Sequence, residues 1–401
     1  MLLNRGPSQL AIPGPSVMPD RVLRAMHRPS PNIYAGELID LTNTLYPDLK
    51  TVARTSHNVA IYIANGHGAW EAAVRNTLNP GDKAVVLSTG RFGAGWAELA
   101  QTCGVEVELV DFGMQSDADP NRVEEILRAD TENRIKAVLT VQADTATSVK
   151  NDIKAIGEAI ANTGHDALYM VDCIASLACD RFEMDAWGVD VMVAGCQKGL
   201  MTPPGLSFVY FNEKVDRVRK NVEPGFYWDW VARTRGEIYY QKFAGTAPTQ
   251  HLYGLREALD MLVHEEGMEA AWQRHEVISG AVWQAIDAWG EGGEIRANID
   301  DRAKRSCAVT TVETGDDHAY ELQQWTQKMA GLTLGIGLGF GAEMSPTWKK
   351  RFRIGHMGHQ NVPMVMGVLG TIDAGLKALN VPHGDGALAA AAQYLAARAE
   401  G

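Results

Sequence analysis

The sequence predicts an α/β protein: a large domain with a mostly parallel sheet flanked by helices, and a smaller C-terminal α+β domain. Three observations predict it. Between about residues 60 and 211, short apolar runs alternate with segments of helical period, the rhythm of strands joined by crossover helices. After about residue 263 the text becomes helix-rich, broken by isolated strand-like runs. A chain of 401 residues also exceeds the size at which one hydrophobic core usually stops growing.

The chain opens on an arm, residues 1–19, in which Ile12-Pro13-Gly14-Pro15-Ser16 and Met18-Pro19 remove backbone donors and oppose regular structure. A helix is expected to begin near Asp20. The large domain, residues 20–263, carries seven strand-like runs: Ala60–Ile63, Ala84–Leu87, Glu106–Val110, Ala137–Val141, Leu168–Val171, Val189–Ala194 and Leu206–Phe211. Between them, Trp70, Ala73, Val74, Thr77 and Leu78 share one helical face, as do Ile153, Ile156, Gly157 and Ile160. A long helix from about Leu252 to Val263 closes this part. In the C-terminal domain, residues 264–401, helix is expected to Trp289, a strand over Cys307–Val312, a helix near Tyr320–Met329 and a strand over Phe352–Ile354.

Composition narrows the function classes. The chain is 46% hydrophobic and 21% charged, with 37 Lys and Arg against 49 Asp and Glu for a formal charge of −12. No long basic block occurs, which argues against nucleic acid or an anionic membrane as partner. Five cysteines (Cys103, Cys173, Cys179, Cys196, Cys307) are scattered without metal-type spacing; buried thiols are expected, with neither disulfides nor structural zinc. No apolar stretch has the length of a signal or a membrane span, and the expected location is the cytoplasm.

Three elements carry chemistry. Ala64-Asn65-Gly66-His67-Gly68-Ala69 follows an apolar strand and opens a helix; its glycines and the helix N-terminus form a phosphate cradle. Alone, such a stretch is more often a turn that merely needs glycine. Asp172 ends the run Leu168–Val171 at the carboxyl end of a buried parallel strand, where ligands of open α/β sheets bind. An acid there can pair with a protonated ring nitrogen of pyridoxal phosphate; a helix-capping Asp is the equal alternative. Lys198, in Gly195-Cys196-Gln197-Lys198-Gly199, again follows a buried strand. Most lysines are solvated, but desolvation in such a place lowers the amine's pKa and favours imine formation.

In this order the three elements are more specific than any one of them. The chain resembles the class V, fold type I, pyridoxal phosphate-dependent aminotransferases, and especially the alanine/serine–glyoxylate aminotransferase family. The resemblance runs from Pro13-Gly14-Pro15 to Arg353-Ile354-Gly355-His356-Met357-Gly358, with Val171-Asp172-Cys173-Ile174-Ala175-Ser176 and Gly195-Cys196-Gln197-Lys198-Gly199-Leu200 as its most telling parts. It implies that Lys198 holds the cofactor as an imine and Asp172 partners the pyridine nitrogen. Asn65, Gly66, His67 and Gln197 would surround the phosphate, Phe92 would stack on the ring, Thr145 would bond the ring hydroxyl and Ile174 would pack on the opposite face. Arg353 would bind the substrate α-carboxylate, for which its planar fork of donors is suited, beside Gly14. A tyrosine and a threonine from the neighbouring subunit complete the family's phosphate site; Thr246 matches the second, but Phe243 stands where the tyrosine belongs.

The resemblance therefore implies a homodimer that transfers the amino group of a small amino acid, alanine or serine, to a small 2-oxo acid, glyoxylate, by a ping-pong mechanism. Lys198 would serve as both anchor and proton carrier. Two alternatives remain: pyridoxamine–pyruvate transamination, which Phe243 keeps open, and cysteine desulfuration, which would need a reactive thiolate on an exposed loop. The glycines of Gly335–Gly341 lack the context of a dinucleotide motif, and His356 with His359 lacks the companions of a metal site; no metal is expected.

Overall fold

A computed structural model of the chain describes residues 3–399. Its first strand, β1 (Gln9–Ala11), is followed by β2 (Asn58–Tyr62), β3 (Lys83–Ser88), β4 (Glu106–Asp111), β5 (Ile135–Val141), β6 (Leu168–Asp172), β7 (Val191–Gly195) and β8 (Ser207–Phe211). The later strands are β9 (Arg296–Ala297), β10 (Val309–Glu313), β11 (Leu332–Ile336) and β12 (Arg351–Gly355). They form a seven-stranded sheet of order β2-β8-β7-β6-β5-β3-β4 and a five-stranded sheet of order β1-β11-β12-β10-β9. In the large sheet only β8 runs against its neighbours.

The large sheet is covered on both faces because its inner strands are apolar at odd and even positions alike, while the edge strand β4 alternates. Val59, Ile61, Val85, Leu87, Tyr169 and Val171 enter one core. Ala60, Val86, Leu139, Met170 and Val193 enter the other, beneath the helices Gly66–Thr77 and Arg91–Thr102. A separate core, with Ile278, Ile286, Trp289, Val312, Phe352 and Ile372, lies against the small sheet. The helix Met268–Gly290 joins them: its first turn, with Met268, Ala271 and Trp272, belongs to the large-sheet core, and its remainder to the small-sheet core.

All seven runs expected as strands of the large sheet are strands. The N-terminal arm differs from expectation, since Gln9–Ala11 pairs in parallel with Leu332–Leu334 of β11. Three residues hydrogen-bonded along an existing strand need little intrinsic propensity, because tertiary pairing supplies what the sequence does not advertise. The glycine-rich stretch differs too, as Gly335 and Ile336 finish β11 opposite Arg353 and Phe352.

The direction of the strands positions the site. The carboxyl ends of β2, β3, β5, β6 and β7 lie along one edge of the sheet, the edge where open α/β sheets receive ligands. Asp172 ends β6 at that edge, Phe92 stands in the first turn of the helix that follows β3, and Asn65, Thr145 and Lys198 stand in the loops or turns that leave it.

Candidate active site

Asp172 is the last residue of β6 and shares the face of Leu168 and Met170, so it points toward the helix Gly66–Thr77. Trp70 of that helix donates its indole N–H to Asp172 Oδ2 at 2.8 Å, and the backbone N–H of Ile174 donates to Oδ1 at 2.6 Å. The residue is 3% exposed. Burial pushes the carboxyl group up to about 7 despite these two bonds; Asp144 pushes in the same direction, and Lys198 pulls the other way. A carboxylate so placed is poised to receive a cation.

The helix Gly66–Thr77 begins at the end of β2 with Asn65 as its cap, the side chain accepting from Gly68 N–H at 3.2 Å. The first N–H groups of the helix, those of Gly66 and His67, have no partner within it. Gly66 leaves room for Ile174, since a Cβ there would lie 2.4 Å from Ile174 Cδ1 and force that side chain to move. Burial, then the positive charge of Arg91, hold His67 below the usual histidine range, and its ring packs edge-on to Trp70 with centroids 4.6 Å apart.

Lys198 lies in the turn after β7. The N-terminal arm crosses it: Lys198 Nζ donates to the carbonyl of Pro13, Ser16 Oγ donates to the carbonyl of Lys198 at 2.8 Å, and Ser16 N–H donates to that of Gln197 at 2.8 Å. Gly14 holds φ near +107°, and a Cβ there would sit 2.4 Å from Lys198 Nζ, so only glycine lets the arm pass. Burial, then the Arg353 cation, bring the amine down to about 8, with Asp172 opposing. Gln197 Oε1 is buried without a hydrogen-bond partner among the described residues.

Asp144, fully buried, orders the opposite wall. Its carboxylate accepts from the backbone N–H of Phe92 at 2.7 Å and of Ala146 at 2.8 Å. Phe92 at a helix start and Thr145 in a loop are thereby tied to one anchor. Arg353, on β12, donates Nε to the carbonyl of Ile336 at 2.6 Å and Nη1 to that of Thr145 at 2.8 Å. Burial lowers its guanidinium to about 10, Asp144 opposing, and it stays cationic at neutral pH.

Two cavities meet at Lys198, Phe92 and Thr145. One, of about 180 Å³, runs between Asn65, Gly66 and His67 on one side and Asp172, Ile174 and Gln197 on the other. The second, of about 630 Å³, reaches Gly14, Arg353 and the helix His318–Trp325. The two together bring eleven of the expected site residues into one place. Phe243 and Thr246 do not join them. Phe243 is 1% exposed and packs in the large-sheet core against Tyr239, so its ring is offered to no ligand; Thr246 is exposed. A phenylalanine can occupy the interior where a hydroxyl would demand a partner.

Sequence reasoning gave Trp70 a packing role only and did not single out Asp144, Pro13 or Ser16. No local signal marks an indole that reaches a carboxylate 102 residues away. Asp144 was closer to legible: it stands next to Thr145, just beyond an apolar strand end. His356, considered and set aside as a metal ligand, has both ring nitrogens within 2.9 Å of Thr310 Oγ1 and the Cys307 carbonyl.

Comparison with known proteins agrees with this geometry. The family model for aminotransferase class V matches residues 38–338. A serine–glyoxylate aminotransferase of Methylorubrum extorquens is 36% identical over 97% of this chain and 96% of its own. An L-aspartate–glyoxylate aminotransferase of Paracoccus denitrificans is 33% identical, covering 95% of this chain and 94% of its own. The crystal structure of a ureidoglycine–glyoxylate aminotransferase from Bacillus subtilis superposes with a TM-score of 0.86 at 26% identity, over 97% of this chain and 98% of that one. A strand-end lysine and acid facing one cavity, a helix N-terminus beside them and whole-length similarity lead to one conclusion: the chain is an enzyme of the class V aminotransferase family.

Proposed function

We propose that the chain carries the amino group of a small amino acid to glyoxylate, with pyridoxal phosphate held by Lys198 and Asp172 as its cofactor. The observation that carries this reading is Lys198 itself: its amine, brought down to about 8, lines both the cavity of Asp172 and the cavity of Arg353. Transamination is the family's reaction, and relatives named for glyoxylate as acceptor cover nearly the whole chain.

The residues present suit the cofactor. Gly66 and His67 N–H groups at a helix N-terminus suit a phosphate, and the Gln197 carboxamide, whose buried oxygen has no hydrogen-bond partner among the described residues, can donate its N–H groups to it. Phe92 and Ile174 give the small cavity apolar walls for a flat ring. Pyridoxal phosphate, when bound, supplies an electrophilic carbon for an amine and a ring that takes up electrons as a substrate C–H bond breaks.

The protein supplies the rest. Asp172, oriented by Trp70 and Ile174, would hold a proton on the ring nitrogen, its carboxyl group favoured in the ionised form by facing a cation. Lys198, brought down to about 8 and so partly neutral near that pH, would accept a proton from the substrate Cα at Nζ and deliver it two bonds away, across the amino nitrogen. Arg353 orients the amino acid by its α-carboxylate, the guanidinium being fixed by the carbonyls of Ile336 and Thr145. The arm, through Gly14 and Pro13, limits where Nζ can move.

A homodimer completes the reading. Thr246, Asn65 and His67 are exposed in the single chain, and Ile63, Phe226 and Tyr240 leave 40%, 86% and 53% of their surface open, as expected of faces a second copy covers. Desulfuration has less support, because four of the five cysteines are buried, Cys103 is raised by burial, and none lines either cavity. Incubating the protein with pyridoxal phosphate, glyoxylate and serine or alanine tests the proposal. Glycine should form with either donor; amination of pyruvate by pyridoxamine in preference, or no glycine at all, would refute it.

A further inference from the structure

The wall of the larger cavity that faces Lys198 is built by the helix His318–Trp325 and the wider turns that continue it through Ala330. Tyr320, Gln323, Gln324 and Gln327 line it. Their spacing puts them on one helical stripe; Gln323 is buried, Tyr320 and Gln324 are half-buried, and Gln327 is exposed at the open side of the cavity. Gln323 has a structural use, donating to the carbonyls of Gly335 and Arg351 at 3.1 and 3.2 Å. Gln324 and Gln327 make no such bond among the described residues, so two carboxamides and a phenol are left facing the space.

The charges in that space are few. Among the described residues, Lys198, Arg353 and Glu343 are the charged side chains that line it. Under the function proposed above, Lys198 serves the cofactor and Arg353 takes the α-carboxylate of the donor. What remains for the donor's side chain is Tyr320, Gln324, Gln327 and a carboxylate, Glu343, with no second cation.

We infer that this wall selects amino donors whose side chain is neutral and hydrogen-bonding, of hydroxyl, carboxamide or ureido type, and discriminates against dicarboxylic donors. A carboxamide both donates and accepts, so Gln324 and Gln327 complement another amide or a urea in both senses. A donor carboxylate would find no further cation among the described residues that line the cavity and would meet Glu343, a like-charge pairing that excludes wrong partners. The inference rests on the proposed roles of Lys198 and Arg353 and adds the substrate class.

The test uses the holoenzyme and isosteric donor pairs, asparagine with aspartate and glutamine with glutamate, with alanine as reference. The donor half-reaction is followed by the cofactor's absorbance in single turnovers without any acceptor. An amide partner left unmatched is worth roughly tenfold, so asparagine should react at least about tenfold more efficiently than aspartate. Glu343→Gln should narrow that ratio by improving aspartate, and Gln324→Leu with Gln327→Leu should lower asparagine relative to alanine by about tenfold. Aspartate matching or exceeding asparagine, or the double leucine variant losing alanine and asparagine alike, would overturn the inference. Failure of glyoxylate alone in the second half-reaction leaves the donor ranking intact and strikes only the proposed acceptor; silence with every donor overturns both.

Discussion

Replacing Asp172 by asparagine separates a carboxyl group that awaits a cation from one that merely caps a turn. In the chain without cofactor the group sits near 7 because burial disfavours its charge, against an ordinary 3.8. An acid raised on folding binds more protons folded than unfolded between those two values, so the contribution of Asp172 to wild-type stability falls as pH rises from about 4 to about 7. At about 1.4 kcal/mol per pH unit, the gap caps this loss at roughly 4 kcal/mol. The asparagine side chain has no charge to bury. The variant loses one hydrogen bond, to Trp70 or to Ile174, at a cost of about 1–3 kcal/mol that does not depend on pH. The stability difference, variant minus wild type, should therefore climb by roughly 2–4 kcal/mol between pH 4 and pH 8 in cofactor-free protein, read by urea unfolding at each pH. Activity should move the opposite way, because removing one partner of a buried ion pair costs about 3–5 kcal/mol, or roughly 10²–10⁴ in turnover. A difference that stays flat with pH, or a variant within tenfold of wild-type turnover, would refute the assigned role.

Other perturbations reach the remaining parts of the site. Arg353→Lys keeps the charge but loses the fork and at least one of the bonds to Ile336 and Thr145; steady-state kinetics should show the donor KM raised roughly 10–100-fold, a charged bond being worth about 1.5–3 kcal/mol. Gly14→Ala drives a Cβ into Lys198 Nζ and should cut turnover at least about tenfold while circular dichroism shows a folded protein. Trp70→Phe removes one of the two bonds that hold Asp172 down, so the acid rises further; in cofactor-free protein the stability loss at its upper pH end should move to higher pH, and an unmoved profile would dismiss the contact.

Much of this was written in the sequence for a physical reason. A polar residue at the end of an unbroken apolar run has to lie at a strand end, which is why Asp172 and Lys198 stood out, and glycine beside a helix start marked Gly66. The inner strands of the large sheet declared themselves because burial on both faces makes them largely apolar, whereas the edge strand β4 alternates and stays partly exposed. Other parts were silent. Gln9–Ala11 becomes a strand only because β11 offers it an edge, and Leu332–Ile336 was hidden by the glycines that its close packing needs. Phe243 could be matched to a family position but not oriented; whether a ring faces inward or out is settled by packing against Tyr239, which one-dimensional text does not express. Trp70 and Asp144 act through contacts spanning 102 and 52 residues, and the cavity-lining stripe of Tyr320, Gln324 and Gln327 reads in sequence as an ordinary solvated helix face.

The most direct test of the central claim is chemical. The protein is incubated with pyridoxal phosphate, reduced with borohydride, digested and mapped by mass spectrometry. A single phosphopyridoxyl group on the peptide bearing Lys198, lost in Lys198→Ala, is the predicted result. Modification of a different lysine, or none, would contradict the account.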